Sequence, residues 1–161
     1  MIAFLSRLFA RAVPALLQAS PRDAHAIAEL HAASFSRGWS EAEIEAMLLE
    51  RNVVAHRALL GQRFAGFILS RLAGDEAEIL SIAVVSARRG RGVARALLDL
   101  NMRRLAGLGA RAVFLEVDED NEPARRLYAR AGFHEVGKRP GYYRQDKGAA
   151  ATALVLRRDL A

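Results

Sequence analysis

No cysteine occurs in the 161 residues, which excludes disulfides, thiolate nucleophiles and cysteine-based zinc sites. Long apolar runs are missing too. In residues 1–14, MIAFLSRLFARAVP, Arg7 and Arg11 break the apolar stretch into short pieces, so neither a secretory signal nor a transmembrane span is expected there. That segment reads instead as an N-terminal extension, amphipathic or flexible, with Ile2, Leu5, Leu8, Phe9 and Ala12 near one helical face. The four histidines, at 25, 31, 56 and 134, lack the close spacing of a zinc site. His31 and His56 read as surface or satisfied structural residues, and no metal is expected. Internal repeats and low-complexity tracts are likewise lacking. The length fits one domain over residues 15–161.

Lysine is scarce, and the net charge of +6 is carried almost entirely by arginine. Guanidinium pairs with phosphate, so an anionic cofactor, a nucleic acid and a ribosomal surface all remain open as partners. A composition that is 52% hydrophobic and 26% charged argues against disorder.

Patterning orders the rest. Ala15 to Ala19 reads as a first strand. Ser20-Pro21-Arg22-Asp23 and Ser40 with Glu43 are helix starts. Val53 to Leu60 and Phe64 to Leu72 flank Gly61-Gln62-Arg63 as a hairpin, and Gly74-Asp75 turns the chain into a strand at Glu78 to Val85. A helix from Val93 to about Ala106 closes at Gly107 and Gly109. The strand Ala112 to Val117 is then a parallel neighbour of Glu78 to Val85 through a right-handed crossover. A helix from Pro123 to Arg130 and strands at Phe133 to Gly137 and Thr152 to Arg157 follow, joined by the loop KRPGYYRQDKGAA. The fold class is α/β (α+β): one mixed, largely antiparallel sheet of about seven strands with helices on both faces.

The chemistry centres on EILSIAVVSARRGRGVAR, Glu78 to Arg95. A strand entering a glycine-containing turn and a helix start presents unpaired N–H groups at the positive end of a helix dipole, which suits phosphate. No GK[ST] follows, and only two glycines occur, so neither the P-loop nor the dinucleotide fingerprint is met.

The run RRGRGVARALL, Arg88 to Leu98, resembles the acetyl-coenzyme A motif of the GNAT N-acetyltransferase superfamily, with Arg89, Gly92 and Ala94 in the motif places. LEVDEDNEPARRLYARAGF, Leu115 to Phe133, and PGYYR, Pro140 to Arg144, resemble the bacterial ribosomal-protein alanine N-acetyltransferases. The resemblance implies that the backbone of Ile82, Ala83 and Val84 pairs with the pantetheine arm of acetyl-coenzyme A. It implies further that Arg89, Gly90, Arg91, Gly92, Val93, Ala94 and Arg95 hold the pyrophosphate, that Asn121 contacts the cofactor, that Glu116 is the general base and that Tyr128 is the general acid.

Chemistry supports those roles independently. An α-amino group with a pKa of about 8 is mostly protonated at neutral pH, so a base is useful, and the leaving thiolate needs a proton. Trp39 reads either as a hydrophobic staple or as a wall of the acceptor pocket. Tyr142 and Tyr143 either close over a peptide N-terminus or pack between the last strands. Arg88 and Arg89 stand where related enzymes often carry an aromatic residue and glutamine, and QDKGAAA lacks the acidic residues often found there.

The implied activity is acetyl transfer from acetyl-coenzyme A to an α-amino group, the N-terminus of a ribosomal protein, within a ternary complex. A cytoplasmic monomer with no requirement for direct nucleic-acid binding is expected. The alternatives are a small-molecule amine as acceptor, or a basic ribosome- or RNA-binding module with a degenerate cofactor pocket.

Overall fold

The computed structural model describes residues 13–141 and 151–160 in full, and 142–144 and 150 by their backbone. Seven strands form one sheet: β1 (Ala15–Gln18), β2 (Val53–Leu60), β3 (Arg63–Ala73), β4 (Glu76–Val84), β5 (Ala112–Asp118), β6 (His134–Arg144) and β7 (Ala150–Asp159). Their spatial order is β1-β2-β3-β4-β5-β7-β6. Only β4 and β5 run parallel; every other neighbouring pair is antiparallel. The helices α1 (Ala24–Ser34) and α2 (Glu41–Leu49) cover one face, and α3 (Val93–Gly107) and α4 (Glu122–Arg130) the other.

Of the two helix starts read in the sequence, Ser40 with Glu43 opens α2 directly, and Ser20-Pro21-Arg22-Asp23 opens a 3-10 turn that leads into α1. The Asp23 carboxylate accepts from the Ser20 N–H at 2.8 Å, ahead of a short 3-10 turn, Pro21–Asp23. Ser40 and Glu43 form a reciprocal capping box on α2. The inner face of α3 buries Val93, Leu97, Leu98, Met102 and Leu105 against the sheet. Each large side chain so buried is worth about 1.5–3 kcal/mol.

One buried polar network locks α3 in place. The Ser70 Oγ donates to Asn101 Oδ1 at 2.6 Å, and Asn101 Nδ2 reaches the Val54 carbonyl at 3.3 Å and His56 Nδ1 at 3.2 Å. Asn101 has no exposed surface, so rotating α3 would strand these groups without partners.

Two expectations need correction. Gly107 lies inside α3, and only Gly109 adopts the left-handed conformation, φ 95°, that ends the turn. The stretch expected as a loop after Gly137 is largely strand, because β6 runs to Arg144 and β7 starts at Ala150. Pro140 is accommodated because β6 is an edge strand, with its register to β7 broken between Arg139 and Tyr143. Of the two readings of His31 and His56, the structure bears out satisfied structural residues: they are hydrogen-bonded and 4% and 6% exposed. The helix expected in residues 1–14 falls mostly on residues 1–12, outside the described residues.

Candidate active site

The sheet opens where β4 and β5 part. Their pairing covers only Glu76–Ile79 against Ala112–Leu115. At that point the β3–β4 register slips: Ile79 faces Ser70, Ser81 faces Leu69, and Leu80 is the extra residue. A β-bulge bends its strand, and beyond it β4 keeps β3 on one side and, among the described residues, no strand on the other. Across the gap, Glu116, Val117 and Asp118 pair only with β7. Ile82, Ala83 and Val84 therefore lie on a strand edge that β5 leaves uncovered, where the backbone groups turned away from β3 face the gap, the Val84 carbonyl being taken by Arg89. Gly66 closes the far side tightly, since a Cβ there would lie 2.7 Å from the Ala83 carbonyl oxygen.

At the end of this edge a 3-10 turn, Ser86–Arg88, leads into the glycine loop. Gly90 and Gly92 have φ of 72° and 81°, a conformation that favours glycine. Gly92 caps α3 with its backbone alone, and the first helical bond runs from the Ala96 N–H to the Gly92 carbonyl. Among the described residues none accepts from the N–H groups of Gly90, Arg91 or Gly92, and those of Val93, Ala94 and Arg95 lack an intrahelical partner. Open space surrounds both glycines, since no atom lies within 4 Å of an added Cβ. The loop thus has the donors and the room that a pyrophosphate needs.

Two of the arginines in this stretch are engaged elsewhere. Arg89 Nε donates to the Val84 carbonyl at 3.2 Å, tying the loop back to β4. Arg95 Nε contacts both oxygens of Asp99 at 3.0 Å, and its Nη1 donates to the Arg130 carbonyl at the end of α4. Asn121 caps α4, its Oδ1 accepting from the Ala124 N–H at 3.3 Å.

The two candidate proton-transfer groups lie on opposite sides of the opening. Val113, Leu115 and Val117 point into the α3/α4 core, so the alternating Glu116 points to the α1/α2 face. Its carboxylate is half-buried, and Oε1 pairs with Arg139 Nη1 at 3.0 Å. Tyr128 sits on α4 within the α3/α4 core, 6% exposed, its ring edge-on to Phe133 at 5.8 Å.

Trp39 packs with Leu80 and Val85 against the α1/α2-side core, which places it on the same sheet face as Glu116. It stacks on His31, and its backbone N–H donates to His31 Nδ1 at 3.1 Å. Burial pushes His31 below its ordinary 6.5, with the Glu43 carboxylate pulling less strongly the other way. Tyr142 and Tyr143 belong to the β6 backbone just after Gly141, φ 72°, and their side chains lie outside the described residues. Two surface hollows of about 320 and 330 Å³ lie elsewhere, one around Asp75 and Arg111, the other between α4 and the β6–β7 pair. Among the described residues no cluster of histidine, aspartate or glutamate could hold a metal ion.

Sequence reasoning missed Arg139 and the Leu80 bulge. Arg139 lay in a stretch read as loop. For His31 the reading as a satisfied structural residue holds, and what it did not give was the contact with Trp39.

The strand pair β4–β5 thus parts at a bulge and opens towards a helix start with unpaired N–H groups, with the Glu116 carboxylate on the strand across the gap. The sequence pattern of the Acetyltransferase (GNAT) family matches residues 24–133, and the chain belongs to that family. The ribosomal protein bS18-alanine N-acetyltransferase of Haemophilus influenzae is 35% identical over 91 residues, 56% of this chain and 62% of that protein. The mycothiol acetyltransferase of a Parafrankia species is 39% identical over 75 residues, 47% of this chain and 23% of that protein. The chain therefore spans less than two thirds of the length of these relatives. Among solved structures, the ribosomal-protein-S18-alanine N-acetyltransferase of Escherichia coli shares the fold, with a TM-score of 0.86, 23% identity, and coverage of 92% of this chain and 95% of that one. No helix among the described residues is long and apolar enough to cross a membrane.

Proposed function

We propose that the protein transfers acetyl from acetyl-coenzyme A to the α-amino group of a ribosomal protein, acting in the cytoplasm as a monomer through the domain formed by residues 15–161. The observation that carries the donor half is the open edge Ile82–Val84 running into the unpaired N–H groups of Gly90–Arg95. One end offers hydrogen bonds to amides and the other offers them to phosphates. Similarity to the bS18-alanine N-acetyltransferase supports the acceptor half.

When bound, acetyl-coenzyme A supplies a thioester carbonyl activated toward amines. Glu116 receives the proton that the acceptor ammonium must shed to become a nucleophile. As the C–N bond forms and the C–S bond breaks, Tyr128 donates its phenolic proton to the leaving sulfur. Their placement on opposite sheet faces lets the amine arrive from the α1/α2 side while the thiolate departs on the α4 side. Trp39 and the Tyr142–Tyr143 pair flank the acceptor entrance, and Asn121 and the loop 89–95 hold the cofactor.

A second reading keeps the donor chemistry with a small-molecule amine as acceptor, and similarity to a mycothiol acetyltransferase favours it. Intact-mass detection of acetylation on peptides that begin with alanine, the same peptides blocked at the amino end, and a panel of small amines separates the two. Acetylation of free peptides alone supports the first reading, whereas small amines alone defeat it. Salt-sensitive RNA binding without a thermal shift by acetyl-coenzyme A would favour a binding module instead. Glu116→Gln should slow turnover at neutral pH by on the order of a hundredfold and leave acetyl-coenzyme A affinity unchanged by calorimetry. Full activity across pH would rule out Glu116 as the base.

A further inference from the structure

We infer that Arg139 is a positioning residue for acetyl transfer, holding the Glu116 carboxylate in its working orientation from the acceptor strand. This rests on the reading of Glu116 as the base.

The register shows why the two meet although 23 positions separate them in sequence. β7 lies between β5 and β6, with Val155 opposite both Glu116 and Gly137, and Ala153 opposite both Asp118 and Arg139. Arg139 must therefore reach diagonally across β7, by one residue pair, to meet Glu116. It passes between Ala153, which is fully buried, and Val155, and Gly137 on its own strand has no side chain to block the way. The guanidinium crosses β7 there and sets Nη1 3.0 Å from Glu116 Oε1.

The backbone also fixes where the arginine starts. Arg139 is the last residue of β6 in regular register before the chain takes up two extra residues between the Arg139–Ala153 and Tyr143–Ala151 pairs. Pro140 and the left-handed Gly141 form that irregularity. Arg139 thus stands at the joint between the ordered strand and the segment carrying Tyr142 and Tyr143.

A glutamate at the edge of a splayed cleft has several rotamers open to it, and a base that wanders is a poor one. A charge-assisted bond to one carboxylate oxygen removes most of that freedom and leaves the other oxygen to take the amine proton. Lysine cannot substitute fully, because a charge on a flexible ammonium is set less precisely opposite Oε1 than the guanidinium nitrogen is. Glu116 is 16% exposed at its side chain and Arg139 60%, so the carboxylate is held from the solvent side, where the acceptor segment ends.

The test is steady-state kinetics on full-length protein with a peptide acceptor, in a cycle of Arg139→Gln, Glu116→Gln and the double variant. Arg139→Gln should lower kcat on the order of tenfold while the KM for acetyl-coenzyme A and the melting transition stay put. In the Glu116→Gln background the same change should have no further effect, because no base remains to be positioned. Arg139→Lys should fall between parent and Gln, and it carries the test if the Gln variant proves unstable. Full kcat in Arg139→Gln, or losses that multiply in the double variant, would overturn the inference and leave Glu116 as the base. Full activity in Glu116→Gln alone would overturn both.

Discussion

The indole of Trp39 lies flat on the imidazole of His31, with ring centroids 4.2 Å apart and planes 15° from parallel. The contact is doubled by the bond from the Trp39 backbone N–H to His31 Nδ1. Phe35 flanks the same imidazole at 4.5 Å, and Phe67 lies below it at 6.4 Å. His31 therefore decides how the residue that ends the α1–α2 connection is seated.

Because Trp39 is the only tryptophan in the chain, its fluorescence reports this contact directly. Protonating His31 turns Nδ1 from acceptor to donor and sets two N–H groups against each other. The emission of the folded protein should therefore change on acidification, with a midpoint below the ordinary 6.5 because burial disfavours the imidazolium. His31→Phe keeps a ring beneath the indole and removes the proton site, so its emission should stay level over the same range. A titration that persists in His31→Phe would assign the change to another group.

Stability should follow the same sign. His31 and His56 are both held below 6.5, His31 chiefly by burial and His56 by burial and then by Arg104. When the folded pKa is depressed, the unfolded chain binds the extra proton. Stability is then complete above about 6.5 and is lost as pH falls from there toward each folded value, at up to about 1.4 kcal/mol per pH unit for each histidine. Urea unfolding at pH 8, 7, 6 and 5.5 should give a plateau followed by a decline. A flat profile would mean that both imidazoles protonate as readily in the fold as out of it.

Much of this fold was legible because its signals are local. Ser40 and Glu43 sit three residues apart and make the box that their spacing promises. β2 has the bounds expected of a strand that flanks the Gly61-Gln62-Arg63 turn, Val53–Leu60. The crossover from β4 through α3 to β5 required a parallel pair. The glycine loop was legible because left-handed backbone at Gly90 and Gly92 needs glycine in the sequence. What escaped depends on partners distant in sequence. Nothing around Leu80 in the sequence marks a bulge, which shows only in the register of β4 against β3, some ten residues away. The Glu116–Arg139 pair exists only because β7 inserts between β5 and β6. Pro140 and Gly141 hid the end of β6, because a proline and a glycine together read as a loop unless the strand is known to be an edge.

Two glycines beside the cleft should fail in opposite ways when changed to alanine, and the contrast separates fold from binding. At Gly66 an added Cβ would lie 2.7 Å from the Ala83 carbonyl oxygen and 3.3 Å from Val84. β3 and β4 would have to move apart in the middle of the sheet, costing on the order of 1–3 kcal/mol. Gly92 meets nothing within 4 Å, and its only obstacle is a φ of 81°. That strain costs on the order of 1 kcal/mol in the fold. The alanine chain escapes it by relaxing the loop away from the geometry that aims the N–H groups of Gly90–Arg95 at one point. Gly92→Ala should therefore melt close to the parent while losing acetyl-coenzyme A affinity on the order of tenfold by calorimetry, a loss of about 1.4 kcal/mol. Gly66→Ala should melt markedly lower, and the fraction that remains folded should keep more of its affinity. Parental affinity in a folded Gly92→Ala variant would show that the loop does not hold the pyrophosphate, and the donor site would have to be sought elsewhere along the open edge of β4.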